Sequence, residues 1–120
     1  MKDATPILVV DDDAMVLRVV VAALERVYGD VAQASSAEEA LEQLERKRFA
    51  LVLTDWKMPG IDGLELARRV QQDHTDTRVM VMSGNVTDND ERVVEQSGAR
   101  LLRKPFDAQI LIASVLEALR

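Results

Sequence analysis

The chain has 120 residues, of which 48% are hydrophobic and 30% charged, a length and composition that fit one globular domain. A net charge of −6 with scattered Lys and Arg argues against direct binding of nucleic acid, and no apolar run approaches the roughly 20 residues of a membrane helix. The absence of cysteine excludes a disulfide framework and a thiolate metal site, and together with the lack of a signal-peptide pattern it favours a cytoplasmic protein.

Short apolar runs alternate with helical periodicities along the whole chain. Apolar runs predict buried strands and a more polar run predicts an edge strand; in chain order the five strands cover 7–10, 31–35, 51–55, 79–82 and 99–103. Apolar spacing and capping residues predict five helices, over about 14–27, 37–47, 63–70, 88–97 and 108–119. A polar loop is predicted over 71–78, and the fourth helix, with only Val93 and Val94 in its apolar stripe, is predicted to be the least anchored.

The alternation of five strands with five helices predicts an α/β domain with a parallel sheet. Nearly continuous apolar strands agree with this, because helices cover both faces of a parallel sheet. Right-handed crossovers bring the carboxyl ends of the strands to one edge, where open α/β sheets bind ligands. Residues 1–120 are therefore predicted to form one domain with its site at that edge.

Four of the predicted strands end on polar side chains, and each could alone be a turn or cap residue. The strands lead into Asp11 and Asp12, into Asp55, into Ser83 and into Lys104. Carboxylates close together raise one another's pKa or require a cation, and an all-oxygen set suits Mg²⁺. Asp55 lies mid-sheet beside the predicted metal, lysine and hydroxyl, which makes it the natural nucleophile for aspartyl-phosphate formation.

The motifs around these residues resemble the receiver domain of two-component response regulators, in particular the chemotaxis-regulator type. They cover residues 9–12 (VVDD), 54–63 (TDWKMPGIDG), 82–84 (MSG) and 104–106 (KPF), and the resemblance extends over the chain in order. It implies a flavodoxin-like, doubly wound (βα)5 domain with a five-stranded parallel sheet of order 2-1-3-4-5. It also implies a phosphorylation-activated signalling switch rather than a turnover enzyme.

The resemblance implies a phosphoryl acceptor and a metal site. Asp55 would accept a phosphoryl group from a sensor histidine kinase or a histidine phosphotransfer protein. Asp11, Asp12, Asp55 and the backbone carbonyl of Lys57 would hold Mg²⁺. The output, as an attached domain or a separate target protein, is not specified, and the chain would act as a monomer or as a phosphorylation-dependent dimer.

The resemblance also implies the residues that bind the phosphoryl group and relay its presence. Ser83, Gly84 and Lys104 would form the phosphoryl-binding and switch positions, with a cis peptide bond before Pro105 that aims Lys104 into the site. Leu101 departs from the pattern, because many members carry Tyr or Phe there, a ring that swings inward on switching. Leucine puts the usual coupling to the face formed by the fourth helix, fifth strand and fifth helix in question, but not phosphorylation.

Three other functions remain as alternatives. A haloacid-dehalogenase-type phosphatase would use Asp11 as nucleophile with Asp13 as the second acid, but it leaves Asp55 without a role. A phosphorylation-independent interaction module would keep the fold, and Leu101 favours it while the intact acidic set does not. Flavin binding is disfavoured, since three carboxylates after the first strand would repel a phosphate.

Several remaining residues receive structural predictions. Asp13 is predicted to cap the first helix, His74 to be a solvated loop residue, and Trp56 to be partly exposed packing. In the family that the chain resembles, the positions of Lys57 and Asn85 flank the pocket and can tune the lifetime of the phosphoryl group.

Overall fold

The computed structural model describes residues 1–120 as alternating strands and helices. The strands are β1 (Asp3–Val10), β2 (Tyr28–Ala34), β3 (Leu51–Asp55), β4 (Arg78–Ser83) and β5 (Arg100–Arg103). The helices are α1 (Ala14–Leu24), α2 (Ala37–Arg46), α3 (Gly63–Asp73), α4 (Asp88–Gln96) and α5 (Ala108–Leu119). All strand pairs are parallel in the order β2-β1-β3-β4-β5, which confirms the predicted flavodoxin-like topology.

The hydrophobic core consists of two layers, one on each face of the sheet. Alternate residues of β1 enter different layers: Leu8 and Val10 pack with α2, α3 and α4, whereas Ile7 and Val9 pack with α1 and α5. This follows from the period of two along a strand, which sends successive side chains to opposite faces. The two layers cover both faces of the sheet and leave its carboxyl edge open.

Two helix ends differ from the sequence prediction. Helix α1 ends at Leu24 rather than near residue 27, because the N–H groups of Arg26 and Val27 bond to carbonyls three residues back and the chain enters β2 at Tyr28. Helix α3 continues to Asp73, so the predicted polar loop over 71–78 is wrong for its first three residues. Glutamine favours helix, and a helix that is already nucleated propagates at little cost.

Three side chains also differ from prediction. Trp56 is 5% exposed and belongs to the α2–α3–α4 layer, so the prediction of partial exposure is wrong. His74 ends α3, where its N–H bonds to the Val70 carbonyl, and it is half-buried rather than solvated. Leu116 belongs to the apolar spacing from which the last helix was predicted, which would place it in the core, but its side chain is exposed.

Helix α4 is held by fewer apolar contacts than the other helices. Thr87 and Asp90 form a reciprocal capping box at its start, and Gly98, with φ of +87°, follows its end. Val94 is its one buried residue, whereas each other helix buries at least three. The prediction that α4 is the least anchored helix therefore agrees with its single buried residue.

No helix of the structure has the length and apolar character needed to cross a membrane.

Tyr28 provides a test of the core. Its side chain is 1% exposed and its hydroxyl has no protein partner. Burial, and secondarily the carboxylate of Asp3, raises the pKa of the phenol, so the hydroxyl stays neutral. We expect Tyr28→Phe to leave the free energy of unfolding unchanged or to raise it by about 1 kcal/mol, because it removes an unsatisfied polar group.

Urea unfolding of Tyr28→Phe measures this effect, with Tyr28→Leu as the matched variant that also removes the ring. Tyr28→Leu should be destabilised, since it loses buried aromatic area. A destabilisation of Tyr28→Phe by more than about 1 kcal/mol would mean that the hydroxyl makes a bond that the structure does not contain.

Candidate functional site

The parallel register places the ends of four strands side by side. Val10 lies opposite Thr54, Asp55 lies opposite Met82, and Ser83 lies opposite Arg103. The residues that directly follow β1 and β5, Asp11 and Lys104, therefore lie at the same edge as Asp55 and Ser83. The register of the parallel strands therefore brings these four residues to the edge at which the sequence predicted a site.

Asp55 and Lys104 form an ion pair at the centre of this edge. The Nζ of Lys104 lies 2.8 Å from Oδ1 of Asp55, and 15% of the Asp55 side chain and 32% of the Lys104 side chain are exposed. The peptide bond between Lys104 and Pro105 is cis. A carboxylate thus lies within reach of solvent, with a cation already beside it.

Three carboxylates meet at this point. Ligand-capable oxygens of Asp11, Asp12 and Asp55 lie within 4.8 Å of one another. Asp11 is buried; its Oδ1 accepts a 2.9 Å hydrogen bond from the Asp13 N–H, whereas its buried Oδ2 has no partner. Burial, followed by the Asp55 and Asp12 charges, raises the pKa of Asp11 against the opposing effects of the Asp13 N–H and Lys104.

This arrangement leads to a prediction for Asp11→Asn. A raised pKa in the folded state means that the ionised form is disfavoured there, so the free energy of unfolding falls as the pH rises above the ordinary carboxyl range. We expect Asp11→Asn to stabilise the metal-free protein at pH 7 by about 1–2 kcal/mol, and to remove this decline with pH.

Thermal unfolding at pH 5 and pH 7, each with and without Mg²⁺, tests the prediction. Wild type should gain stability from Mg²⁺ at pH 7, and Asp11→Asn should gain less, because one ligand charge is missing. An Asp11→Asn protein that is less stable than wild type without metal would contradict the inferred repulsion among the three carboxylates.

The Ser83 hydroxyl makes no hydrogen bond to Asp55 in the structure. This hydroxyl, largely buried, donates instead to the Gly84 carbonyl at 3.2 Å. The Lys104 N–H donates to the Ser83 carbonyl at 2.9 Å, so the two residues are joined through the backbone. Asn85, two residues after Ser83, has φ of 49°, a left-handed conformation that asparagine tolerates. The switch roles of Ser83 and Gly84 remain predictions.

Two features beside the site were not predicted from the sequence. Gly63, the first residue of α3, lies against the backbone of Asp55: a Cβ on Gly63 would lie 2.1 Å from the Asp55 carbonyl oxygen. The Lys57 ammonium lies 4.3 Å from the ring centroid of Trp56. The Asp62-Gly63 pair predicted a helix start, and Asp62 indeed caps α3, but pattern alone gave no sign of the close approach. The predicted metal role of the Lys57 carbonyl stays a prediction.

Comparison with known proteins identifies the class of protein that this fold and site define. The family model for the response regulator receiver domain matches residues 7–116. The phosphate regulon transcriptional regulatory protein PhoB of Pseudomonas aeruginosa is 30% identical over 117 residues, which cover 95% of this chain and 51% of PhoB. The response regulator receiver protein CpdR of Brucella abortus is 34% identical over 111 residues, covering 91% of this chain and 92% of CpdR.

A solved structure supports the fold independently. The chemotaxis response regulator CheY4 of Vibrio cholerae superposes with a TM-score of 0.89 at 24% identity, covering 97% of this chain and 99% of CheY4. The chain belongs to the response regulator receiver domain family, whose members act in phosphorylation-dependent two-component signalling. It spans about half the length of PhoB and nearly all of CpdR.

Proposed function

We propose that residues 1–120 form a receiver domain in which Asp55 accepts a phosphoryl group from the phosphohistidine of a sensor kinase or a histidine phosphotransfer protein. The observation that carries this proposal is the ion pair between Lys104 Nζ and Asp55 Oδ1, at 2.8 Å, within the three-carboxylate cluster. It supplies a nucleophilic carboxylate and a cation for the incoming phosphoryl oxygens in one place.

The residues present fit a Mg²⁺ ion. The buried Oδ2 of Asp11 lacks a partner, and Asp12 and Asp55 place further oxygens within 4.8 Å, a donor set suited to a hard divalent cation. The backbone carbonyl of Lys57 would complete the protein ligands. When bound, Mg²⁺ would offset the carboxylate charges and the charge of the phosphoryl oxygens, which otherwise repel each other.

The transfer itself involves one bond made and one broken. A carboxylate oxygen of Asp55 attacks phosphorus, the phosphorus–nitrogen bond of phosphohistidine breaks, and its electron pair stays on the imidazole nitrogen. Lys104 passes from the Asp55 carboxylate to a phosphoryl oxygen and keeps an anionic partner throughout. The Ser83 hydroxyl would turn from the Gly84 carbonyl to donate to another phosphoryl oxygen.

The product is a switch state rather than a released metabolite. The phosphoryl group favours the arrangement in which Ser83 and Lys104 both contact it, and this shifts an existing equilibrium toward a form with altered partner binding. The partner would be an attached output domain or a separate target protein, and the active form a monomer or a phosphorylation-dependent dimer. The matched part of this chain covers 51% of PhoB and 92% of CpdR, so its relatives include both a longer protein and one of receiver-domain size.

The sole tryptophan, buried next to Asp55, reports on this reaction. We expect Trp56 fluorescence to change on addition of Mg²⁺, and to change again on addition of acetyl phosphate with Mg²⁺ present. The second change should decay as the acyl phosphate hydrolyses once the donor is removed. Acetyl phosphate that produces no second change and no covalent adduct would contradict the proposal.

A further inference from the structure

Arg103 joins three parts of the molecule near the phosphoryl site. It lies on β5 directly before Lys104, and its Nη1 donates to the Val86 carbonyl at 3.3 Å. Its Nη2 contacts the Glu91 carboxylate on α4. We call these two contacts the α4 clamp. One side chain thus holds both the loop after β4 and the first turns of α4 against β5.

The clamp is the main polar attachment of a weakly packed helix. Val94 is the only buried residue of α4, and the capping box between Thr87 and Asp90 is internal to its own segment. No other ion pair of the structure connects α4 to the rest of the chain. Removing the Arg103 contacts should therefore loosen α4 more than a comparable change elsewhere on β5.

Few residues separate the clamp from the phosphoryl site. Val86 lies three residues after Ser83, and the bend between them includes Asn85 at φ of 49°. Lys104 follows Arg103 and bonds through its N–H to the Ser83 carbonyl. If Ser83 moves toward a phosphoryl group on Asp55, the short segment between Ser83 and Val86 would transmit that movement to Val86. Such a movement would therefore disturb the contact between Arg103 and the Val86 carbonyl.

We propose that the α4 clamp is an inhibitory contact: Arg103, through Glu91 and Val86, stabilises the unphosphorylated arrangement of the β4–α4 loop and of α4. This inference rests on the proposed function of Asp55. It supplies a polar coupling between the site and α4 in a chain where Leu101, partly buried on β5, has no aromatic ring to move. A ligand that favours the phosphorylated arrangement must break the α4 clamp when it binds. A substitution that removes the clamp should therefore raise the apparent affinity for such a ligand.

The test measures the affinity of the full chain for beryllium fluoride, a phosphoryl mimic, in the presence of Mg²⁺ by Trp56 fluorescence. Arg103→Gln and Glu91→Gln should each bind about two- to fivefold more tightly than wild type, the range for an exposed ion pair with both side chains nearly half exposed. The double variant should bind no more tightly than Arg103→Gln, since Arg103→Gln already removes both contacts of the clamp and Glu91→Gln removes one of the same two.

Two variants control for net charge. Arg100 is an exposed residue of β5 that forms no ion pair, and Arg100→Gln is the control for Arg103→Gln. Glu95 is an exposed residue of α4 that forms no ion pair, and Glu95→Gln is the control for Glu91→Gln. Both should bind the mimic as wild type does. If the Arg103 and Glu91 variants matched these controls, bound more weakly, or were additive in the double variant, the inhibitory role of the clamp would be overturned.

A second readout does not depend on phosphorylation. Amide hydrogen exchange of α4 in the metal-free protein should be faster in Arg103→Gln than in Arg100→Gln, because only the former loses the attachment. Equal exchange rates in the two variants would refute the clamp. Faster exchange in Arg103→Gln, together with no binding of beryllium fluoride by wild type, would instead count against the phosphoryl site and thus against the inhibitory role built on it.

Discussion

Asp55→Asn is expected to abolish phosphoryl transfer from acetyl phosphate and from a phosphohistidine donor, while the protein remains folded. The amide oxygen of asparagine is a poor nucleophile and the substitution removes the charge that Lys104 contacts at 2.8 Å. The phosphodonor-dependent change in Trp56 fluorescence should therefore disappear completely. Binding of Mg²⁺ should weaken without being lost, since Asp11 and Asp12 remain.

Asp13→Asn is the matched control for this variant. It removes one negative charge next to the same cluster, and asparagine caps a helix about as well as aspartate does. The Asp13 side chain accepts from the N–H groups of Met15 and Val16, a role that the asparagine oxygen can take over. Asp13→Asn should keep the phosphodonor response. A full response in Asp55→Asn would show that Asp55 is not the acceptor, and an equal loss in both variants would attribute the loss to the missing charge rather than to the missing nucleophile.

Gly63→Ala is expected to produce the largest loss of stability of any glycine-to-alanine substitution in the chain. The new Cβ would lie 2.1 Å from the carbonyl oxygen of Asp55, so backbone must move. We expect the free energy of unfolding to fall by about 3 kcal/mol, at the upper end for overpacking, although alanine favours helix over glycine. Because the displaced backbone carries the proposed acceptor carboxylate of Asp55, phosphorylation should slow as well.

Gly29→Ala provides the comparison for this substitution. A Cβ at Gly29 would meet its nearest atom at 3.6 Å, an ordinary contact, and the residue lies in the edge strand β2. Urea unfolding of both variants should show a change within about 1 kcal/mol for Gly29→Ala. Similar stabilities for the two variants would mean that α3 approaches Asp55 less closely than the structure shows.

The architecture followed from periodicity together with the resemblance of the motifs. The apolar start of the strand 51–55 favoured a parallel sheet, because a sheet covered on both faces buries successive residues of a strand. The residues at which α1 and α3 end could not be predicted from apolar periodicity. Val27 continued the helical spacing yet forms a tight turn, and Gln71 carried no apolar signal yet stays helical, because tertiary contacts decide such boundaries.

The residues of the candidate site could be predicted from the sequence for a simpler reason. Each of its side chains directly follows or ends a parallel strand, so placing the strands also placed Asp11, Asp55, Ser83 and Lys104. Side-chain orientation could not be predicted, such as the Ser83 hydroxyl directed at the Gly84 carbonyl. Close approaches between distant segments, such as Gly63 on Asp55, were equally invisible, because they depend on the angle at which a helix meets the sheet.

Leu101 is the departure with the most consequence for signalling. It is partly buried against the α2–α3–α4 layer and lies opposite Val81 on β4. A leucine at this position can repack but has no ring to redirect on phosphorylation. Under the proposed function, coupling between the site and α4 would then use other contacts, and those of Arg103 reach both the loop and the helix.

Peptide mapping by mass spectrometry after incubation with Mg²⁺ and acetyl phosphate tests most directly whether the edge site captures a phosphoryl group. We expect a single acid-labile phosphoryl adduct, located on Asp55 and absent when Mg²⁺ is chelated. An adduct on Asp11 would instead indicate phosphatase-type chemistry, and an adduct on any other side chain would contradict the proposed role of the Asp55–Lys104 pair.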